Sequence, residues 1–551
     1  MYFYIIKGVI MAEKIFYPDY FNDVFGPVMQ PGSSGGFAGT SRSSRVARYS
    51  ILSEPKEVTF IFAPGTHMID GLGTFMEDRA YLGGILDFDT EDERLFIAHE
   101  IARERGLSYE FKEGDEAYGI PSYSAFIRVK GENGETGTAV VSSIGGGMIR
   151  TYRINDFSVN YQADTYGLLV WHKSKDVSKE LLERIKKELG DSFVDIKIVE
   201  DSVGKKGVFA ESDKVVEGET LGKIKNEGLE YRVFPALLPV VTTLKRKPQL
   251  FDNVTEWKRI AKEEGVSFVD VAIEYEKRFS GWSREQIIER FEKIADILYH
   301  QVHALEEKGV ENVADTPILP VYGKQWDRYK KDTEVLTDSL TQRIIENALS
   351  TNAKVPGVKI VPGPMGTGGG YLFSALDAVR ESKGYSHEKL IEGLIVAAAF
   401  GAIAYSRSNP SGERGCVGES GVCNAMASAA VAQMSGADPD QVENAASMAL
   451  QANLGLVCDV ISGGKEFPCI TRTIRAAVTA PLYADLARAG IDPLIPYHEV
   501  IDAMEEHYKK TPQELLCGYS CGINCSPTAK KSHQFSKNEY MKGKLKYVAT
   551  T

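Results

Sequence analysis

"ERGCVGESGVCNAM", residues 413–426, sets Cys416 and Cys423 among glycines at the head of a run of small residues. "GLVCDVISGGKEFPC", residues 455–469, adds Cys458 and Cys469. The surrounding stretch, 355–515, is rich in Ala, Gly, Met and Ser, with helical periodicity and few β-branched runs. Small residues let helices approach closely. This part therefore reads as a tightly packed, mainly α domain, broken by glycine turns such as "GPMGTGGG" (363–370). Thiols placed in this way can be buried hydrophobes, disulfides, zinc ligands or ligands of an iron–sulfur cluster.

Composition narrows the setting. The chain has 551 residues, 43% hydrophobic and 25% charged, which is ordinary globular usage with room for about three or four domains. A net charge of -12 disfavours nucleic acid or an anionic membrane as the main partner. Seven cysteines in so long a chain do not make a disulfide scaffold. The start, "MYFYIIKGVIMAEKIFYPDYF", has a short apolar stretch broken by Lys7 and lacks signal-peptide features. The longest apolar run, "GLIVAAAFGAIAY" (393–405), is short for a bilayer and reads as a buried helix. The expected location is the cytoplasm.

Upstream of the helical part the pattern changes twice. Residues 1–158 are glycine-rich and mixed, with "SSGGFAGTSRSSRVAR" as a loop leading into a helix and "TAVVSSIGGGMI" as a strand entering a glycine turn. Residues 165–212 read as strand, helix, strand, strand. Their helix has Val177, Leu181, Ile185 and Leu189 four apart and Gly190 as its stop. That is half of a ferredoxin-like sandwich, the plan of ACT-type regulatory modules. Residues 215–350 are charged and mostly helical. Ser283 and Gln286 form a capping box ahead of Ile287, Phe291, Ile294, Leu298, Val302 and Leu305. His300 and His303 on this helix are half a metal site or, in the plainer reading, a solvated or partly packed pair, since no carboxylate partner stands out in the sequence.

Cluster ligands are deprotonated cysteines. Cys416, Cys458 and Cys469 are spread over more than fifty residues, each beside a glycine- or proline-marked turn. Three ligands on a four-iron cluster leave one iron open, which suits a Lewis acid for dehydration better than electron transfer. Spacing alone leaves buried structural cysteines equally open.

The neighbouring residues carry more. "GCVGESGVCNAMASAA" with "NLGLVCDVISGGKEFPCITR" resembles the α part of the iron–sulfur-dependent L-serine dehydratases, with their GC-x-x-E-x-G, LGL-x-CD and PCI-x-R stretches. The 42-residue step and the C-x10-C spacing agree with that family's cluster cysteines. "SSGGFAG" followed by Arg42, "TFMEDRAYLGGILDF" (74–88) and "SIGGGMI" (143–149) resemble its β part, which carries SSHT-x-GP and an S-x-GGG turn. The resemblance implies a β-like domain over 1–158, an ACT-like module over 159–214, a helical connecting region over 215–350 and an α-like catalytic domain over 351–551. The fold class expected is multidomain, α+β followed by all-α. The cofactor implied is a 4Fe–4S cluster on Cys416, Cys458 and Cys469. Cys423 is the rival ligand. Cys517, Cys521 and Cys525 form C-x3-C-x3-C, and Cys525 resembles the tail cysteine with which some family members reach the open iron; zinc or a second cluster is the alternative.

Three family positions are altered together. Gly35 stands for the histidine of SSHT, "GTFMED" for the usual GHGTD, and Ala452 for a histidine before "NLGL". The activity implied is oxygen-sensitive elimination of water from a β-hydroxy amino acid, L-serine or a close analogue, giving a 2-keto acid and ammonium. The alternatives are the same chemistry on another hydroxy acid or on cysteine, and a catalytically silent cluster-bearing sensor. Glycine-turn amides with Ser33, Ser34, Ser143 and Thr367 are nominated to hold the substrate carboxylate. Arg42 or Arg472 is nominated to pair with it. His67 is the first candidate base and Lys465 the second. Glu419 is expected to fix the turn beside Cys416. The partners expected are a small amino or hydroxy acid and a second copy of the chain, with no nucleic acid and no membrane.

Overall fold

The computed structural model describes residues 17–549 apart from 65–67, 74–75, 118–123, 217, 227, 242–248, 316–319, 364–367, 409, 411–413, 460, 462–466, 517–521, 532–540 and 542. The described residues divide into a sheet unit, Gly35–Arg246 with the C-terminal strand Lys546–Tyr547, and a helical unit, Phe16–Ser34 with Lys247–Ser536.

The sheet unit is built on β1 (Pro55–Phe62), β2 (Ser108–Glu113), β3 (Ser124–Gly131), β4 (Thr136–Gly145), β5 (Met148–Ile154) and β6 (Phe157–Tyr161). With β11 (Lys546–Tyr547) they form one sheet in the order β11-β2-β1-β3-β4-β5-β6. β1 and β2 are parallel and the other pairs antiparallel. Alternation sets the faces. In β3, Ile127 and Val129 are buried while Arg128 and Lys130 are exposed. Phe60 and Phe62 of β1 meet Tyr81 of the helix Glu77–Ile85, with ring centroids 5.0 and 5.6 Å apart. That helix lies close against the helix Thr40–Arg48, because a side chain on Gly84 would fall 2.3 Å from the Ser41 carbonyl oxygen. β4 enters β5 through Gly145, Gly146 and Gly147, at φ 99, 60 and 78, a turn that side-chain-bearing residues rarely adopt.

The small module is complete. β7 (Tyr166–His172), helix Lys179–Leu189, β8 (Phe193–Glu200), β9 (Lys206–Ser212), helix Gly218–Asn226 and β10 (Leu229–Phe234) make a βαββαβ unit, strand order β10-β7-β9-β8. Val177, Leu181, Ile185 and Leu189 pack with Leu168, Val170, Val208 and Ala210 as the periodicity predicts. Ser178 caps the helix by accepting from the Leu181 amide, and Gly190 ends it at φ 54. The other sheet face packs on β6 through Tyr161 against Phe209 and Phe234. The boundary at 214 is thus too early. Val233 and Phe234 of β10 are needed to close the sheet, and the module runs to Phe234.

The helical unit departs from the expected boundaries in two further ways. Residues 247–350 are part of its body, not a connector: the helix Arg284–Lys308 buries Ile287, Phe291, Ile294, Leu298, Val302 and Leu305, behind the capping box at Ser283. Residues 19–29 also belong here rather than to the first domain. Tyr20 stacks on Tyr275, Phe21 on Trp282, and Met29 bridges to Ile360. Conversely β11, in the tail, pairs with β2. At the centre lies the helix His387–Arg407, the one helix among the described residues long and apolar enough to cross a membrane; 83% of its most apolar window is buried inside the protein. Gly393 and Gly401 on it admit Met434 and Val24 at distances a side chain would block.

Candidate functional site

The cysteine loops of the helical unit are tied to one guanidinium. Cys416 precedes a π-helical turn, Val417–Gly421, and Cys469 opens the helix Cys469–Arg488. Arg472 stands one turn after Cys469. Its Nη1 donates to the Val457 carbonyl at 2.8 Å, and its Nη2 lies 3.0 Å from Oδ1 of Asp459, so it grips both sides of Cys458. Its charge also bears on the Cys416 thiol, pulling that thiol's pKa down. The backbone does the same work: the Val417 amide donates to Leu456 O at 3.2 Å. Gly415, at φ 86, lets that loop approach, since a Cβ there would fall 2.4 Å from the same carbonyl oxygen. Cys416 and Cys458 are buried and Cys469 is half-buried.

The environment separates the two cysteines of the first loop. Burial, then the Glu419 charge, push the Cys416 thiol up, while Ser420 and Arg472 pull it back. The Cys423 thiol is pushed up to about 12 by burial and donates to Gly368 O at 3.2 Å. Cys423 is thus placed as a buried hydrogen-bond donor on its own helix. The donor chemistry fits a thiolate-ligated cluster: three cysteine loops drawn together, with a fixed cation to offset thiolate charge.

The cysteine-bearing tail reaches the same loops. The Cys458 amide donates to Leu515 O at 3.2 Å, and the Ile523 amide to Oδ2 of Asp459 at 3.2 Å. Gly522, at φ 60, permits that approach. Cys525 ends this short turn, half-buried. Cys517 and Cys521 lie outside the described residues.

Where the sheet unit begins, at Gly35, the π-helical turn Ser34–Gly39 winds into the helix Thr40–Arg48. Ser143 of β4 lies against it: a Cβ on Gly39 would fall 2.3 Å from Ser143 Oγ, and one on Gly35 3.6 Å from it. Arg42 is buried, and its Nη1 donates to Gly147 O at 2.6 Å. It therefore braces the glycine turn between β4 and β5. Arg472, likewise, is engaged by its own loops. Ser33 is half-buried and Ser34 buried. His67, Lys465 and Thr367 lie outside the described residues.

The histidine pair separates. His300 is exposed beside Glu307 and Asp296. His303 is buried, and its Nε2 lies 2.8 Å from Oδ2 of the fully buried Asp377. The carboxylate partner that the sequence did not reveal therefore comes from another helix, Gly368–Lys383. His303, Asp377 and Glu381 bring ligand atoms within 4.8 Å of one another. Arg343 lies 3.1 Å from His303 Nδ1, and Arg380 donates to Asp377 at 3.1 Å. Two guanidinium groups already neutralise these acids, which makes the group a polar lock between helices.

Sequence reading missed Asp459 and Asp377. Asp459 follows Cys458 directly, and that adjacency was the available signal. Nothing local marks Asp377.

The family described as serine dehydratase alpha chain matches residues 263–523. A probable L-serine dehydratase alpha chain of Bacillus subtilis is 30% identical over 285 residues, 51% of this chain and 94% of that protein. A probable L-serine dehydratase beta chain of the same organism is 37% identical over 154 residues, 28% of this chain and 68% of that one. L-serine dehydratase 2 of Escherichia coli is 43% identical over 115 residues, 20% of this chain and 25% of its own. The chain belongs to the L-serine dehydratase family, an enzyme family, and carries alpha-like and beta-like parts in a single polypeptide.

Proposed function

We propose that the chain is a 4Fe–4S-dependent, oxygen-sensitive lyase that removes water from a β-hydroxy amino acid, L-serine or a close analogue. The observation that carries this reading is the convergence of the Cys416, Cys458 and Cys469 loops on Arg472. When bound, a cluster held by three cysteines supplies a Lewis acid that assists departure of a hydroxyl group.

The chain's own residues do the rest. Arg472 keeps the three loops in register and offsets the charge of their thiolates. Asp459 fixes Arg472 and receives the tail amide of Ile523, so the tail and Cys525 are held at the same loops; Cys525 is the reserve ligand. Ser143 and the glycine-turn amides hold an anionic oxygen, and Arg42 holds the turn that presents them. A base then takes the Cα proton as the C–O bond breaks. The 2-aminoacrylate released shifts to its imine and takes back one water. A keto acid and ammonium result, and the atoms balance without an oxidant.

A second substrate is favoured by one observation. Among the described residues, a Cβ at Gly35 would meet only Ser143 within 4 Å, so that position is open to them where the family pattern has histidine. An analogue with a bulkier β-substituent fits such a position. The test is anaerobic purification, iron analysis and a keto-acid assay over serine, threonine, 3-hydroxyaspartate and cysteine. About four irons per chain and keto acid from at least one of them are expected. Iron-loaded protein inert towards the whole panel would leave the lyase reading without support.

A further inference from the structure

The helix that Cys469 opens carries a second guanidinium one turn beyond Arg472. Arg472 is spent on the Val457 carbonyl and the Asp459 carboxylate. Arg475, three residues on and so on the same helix face, is exposed, and its Nη2 donates to Oδ1 of Asn453. Among the described residues that is its one side-chain hydrogen bond, and no carboxylate pairs with it. Asn453 is buried against the cysteine loops. A Cβ on Gly421, at the end of the turn that follows Cys416, would fall 3.0 Å from the Asn453 Cβ. The Leu456 amide, two residues before Cys458, donates to Asn453 O at 3.4 Å. Helix side chains lean toward the N-terminus, which here is Cys469. The guanidinium is thus tied through Asn453 to the loops of Cys416 and Cys458 and leans toward Cys469. Ala452, next to Asn453, is exposed and stands where the family pattern has histidine. A small side chain and a fixed cation therefore lie side by side where that pattern has a titratable ring.

We propose that Arg475 binds a carboxylate carried on the β-carbon of the substrate, so that the site prefers a β-hydroxy amino acid with two carboxylates over serine. The inference rests on the lyase reading for the hydroxyl that leaves beside the cysteine loops; the second carboxylate is its own content. A guanidinium is a planar fork of five donors. One goes to Asn453, and the donors that remain include a pair that takes both oxygens of a carboxylate side by side. Asn453 is neutral, so it fixes the fork and leaves the charge uncompensated. Ala452 ends at Cβ and leaves room beside it for an added group. Serine has a hydrogen where such a substrate has its second carboxylate, and gives the fork nothing to bind. The chemistry is otherwise unchanged. Loss of water across Cα–Cβ gives an enamine, which shifts to its imine and takes back one water. A 2-keto dicarboxylate and ammonium result, with no oxidant or reductant.

L-aspartate and L-alanine isolate the added carboxylate, because neither has a β-hydroxyl to lose and only aspartate carries the second acid. Their binding to anaerobically prepared wild type, Arg475→Gln and Arg475→Lys is measured by calorimetry, with iron content determined on each protein and 3-hydroxyaspartate and serine assayed for turnover. Wild type is expected to bind aspartate at least about 10-fold more tightly than alanine. Arg475→Gln should raise the aspartate Kd and the 3-hydroxyaspartate KM by about 10- to 100-fold. The alanine Kd, the serine KM and the iron content should stay close to wild type. Arg475→Lys keeps the charge without the fork and should recover part of the loss. Wild type that binds alanine as tightly as aspartate overturns the proposal, and needs no variant to do so. So does an unchanged aspartate Kd in Arg475→Gln. So does a loss of iron that accounts for the weaker binding, which would make Arg475 a brace of the loops like Arg472. Tight, Arg475-dependent binding of aspartate with no turnover of any hydroxy compound would break the lyase reading and leave this one standing.

Discussion

The cysteine loops of the helical unit and the glycine turn of the sheet unit are held in opposite ways. The first is fastened by side chains: Arg472 bonds the Val457 carbonyl and the Asp459 carboxylate, and Asp459 in turn receives the Ile523 amide. The second is fastened by their absence, with Ser143 and Glu77 lying where Gly39 and Gly36 have no Cβ. The difference separates two kinds of site. Soft ligands need a stiff, charged frame that fixes their spacing. A turn that presents amides to a small anion needs bare backbone. Deleting a side chain should therefore damage the first, and adding one should damage the second.

The largest expected effect is on the ligands themselves. Cys416→Ser, Cys458→Ser and Cys469→Ser should each lose most of the iron and nearly all activity, while Cys423→Ser, whose thiol is spent on Gly368 O, should keep both. Iron analysis of anaerobic protein decides, and full retention in any of the first three breaks the ligand assignment. Air should also inactivate wild type well before circular dichroism shows unfolding, and iron(II) with a thiol should restore it. One step smaller is Arg472→Lys. A lysine keeps the charge but cannot span the Val457 carbonyl and the Asp459 carboxylate together. Cluster affinity should fall about 10- to 100-fold, as for loss of other supporting groups around a metal. Iron content no lower than wild type after mild chelation would show that the loops hold without it.

For the sheet-unit turn the matching change adds an atom. Gly39→Ala puts a Cβ 2.3 Å from Ser143 Oγ and 2.8 Å from its Cβ. Overpacking of this kind costs about 1–3 kcal/mol. A thermal-denaturation series should show the loss and its partial recovery in Gly39→Ala/Ser143→Gly. Equal Tm for Gly39→Ala and wild type would remove the distinction between the two sites.

The same contrast explains what the sequence could disclose. The small module was legible because its helix and strands obey single periodicities, Leu181, Ile185 and Leu189 at one spacing and β8 and β9 at another. Its fourth strand was not, because Leu229–Phe234 lies past a charged helix with no local mark of pairing to β7. Cys416, Cys458 and Cys469 stood out because thiols are rare and their turns are marked by glycine and proline. Arg42 and Arg472 stood out as cations but not as braces, since a guanidinium offers no sequence sign of whether it faces a ligand or a backbone carbonyl. Tyr20 and Phe21 gave no hint that they leave the first domain to stack on Tyr275 and Trp282.

The smallest effect expected concerns the helical unit's polar lock, where side-chain bonds support packing and no ligand is involved. Burial pushes His303 down, but its contacts with Asp377 and Glu306 outweigh this and leave its pKa raised above the ordinary value. Asp377 is pushed up by burial and pulled down further by His303 and Arg380, so its pKa is lowered. The signs follow from linkage. A group raised on folding favours the native state fully below its unfolded pKa, about 6.5 for histidine, and loses that contribution as pH rises through the folded value. A lowered aspartate contributes above about 3.9 and loses its share as pH falls through its folded value. The lock is therefore strongest in the mildly acidic range between them. Each unit by which His303 is raised is worth about 1.4 kcal/mol there and nothing well above its folded pKa. Denaturant titrations of wild type and His303→Gln across pH 5 to about 9 should converge at the alkaline end, after allowance for a constant difference in packing. A stability gap that widens with rising pH would mean that His303 is held neutral by burial, and that Asp377 is neutralised by the guanidinium of Arg380 alone.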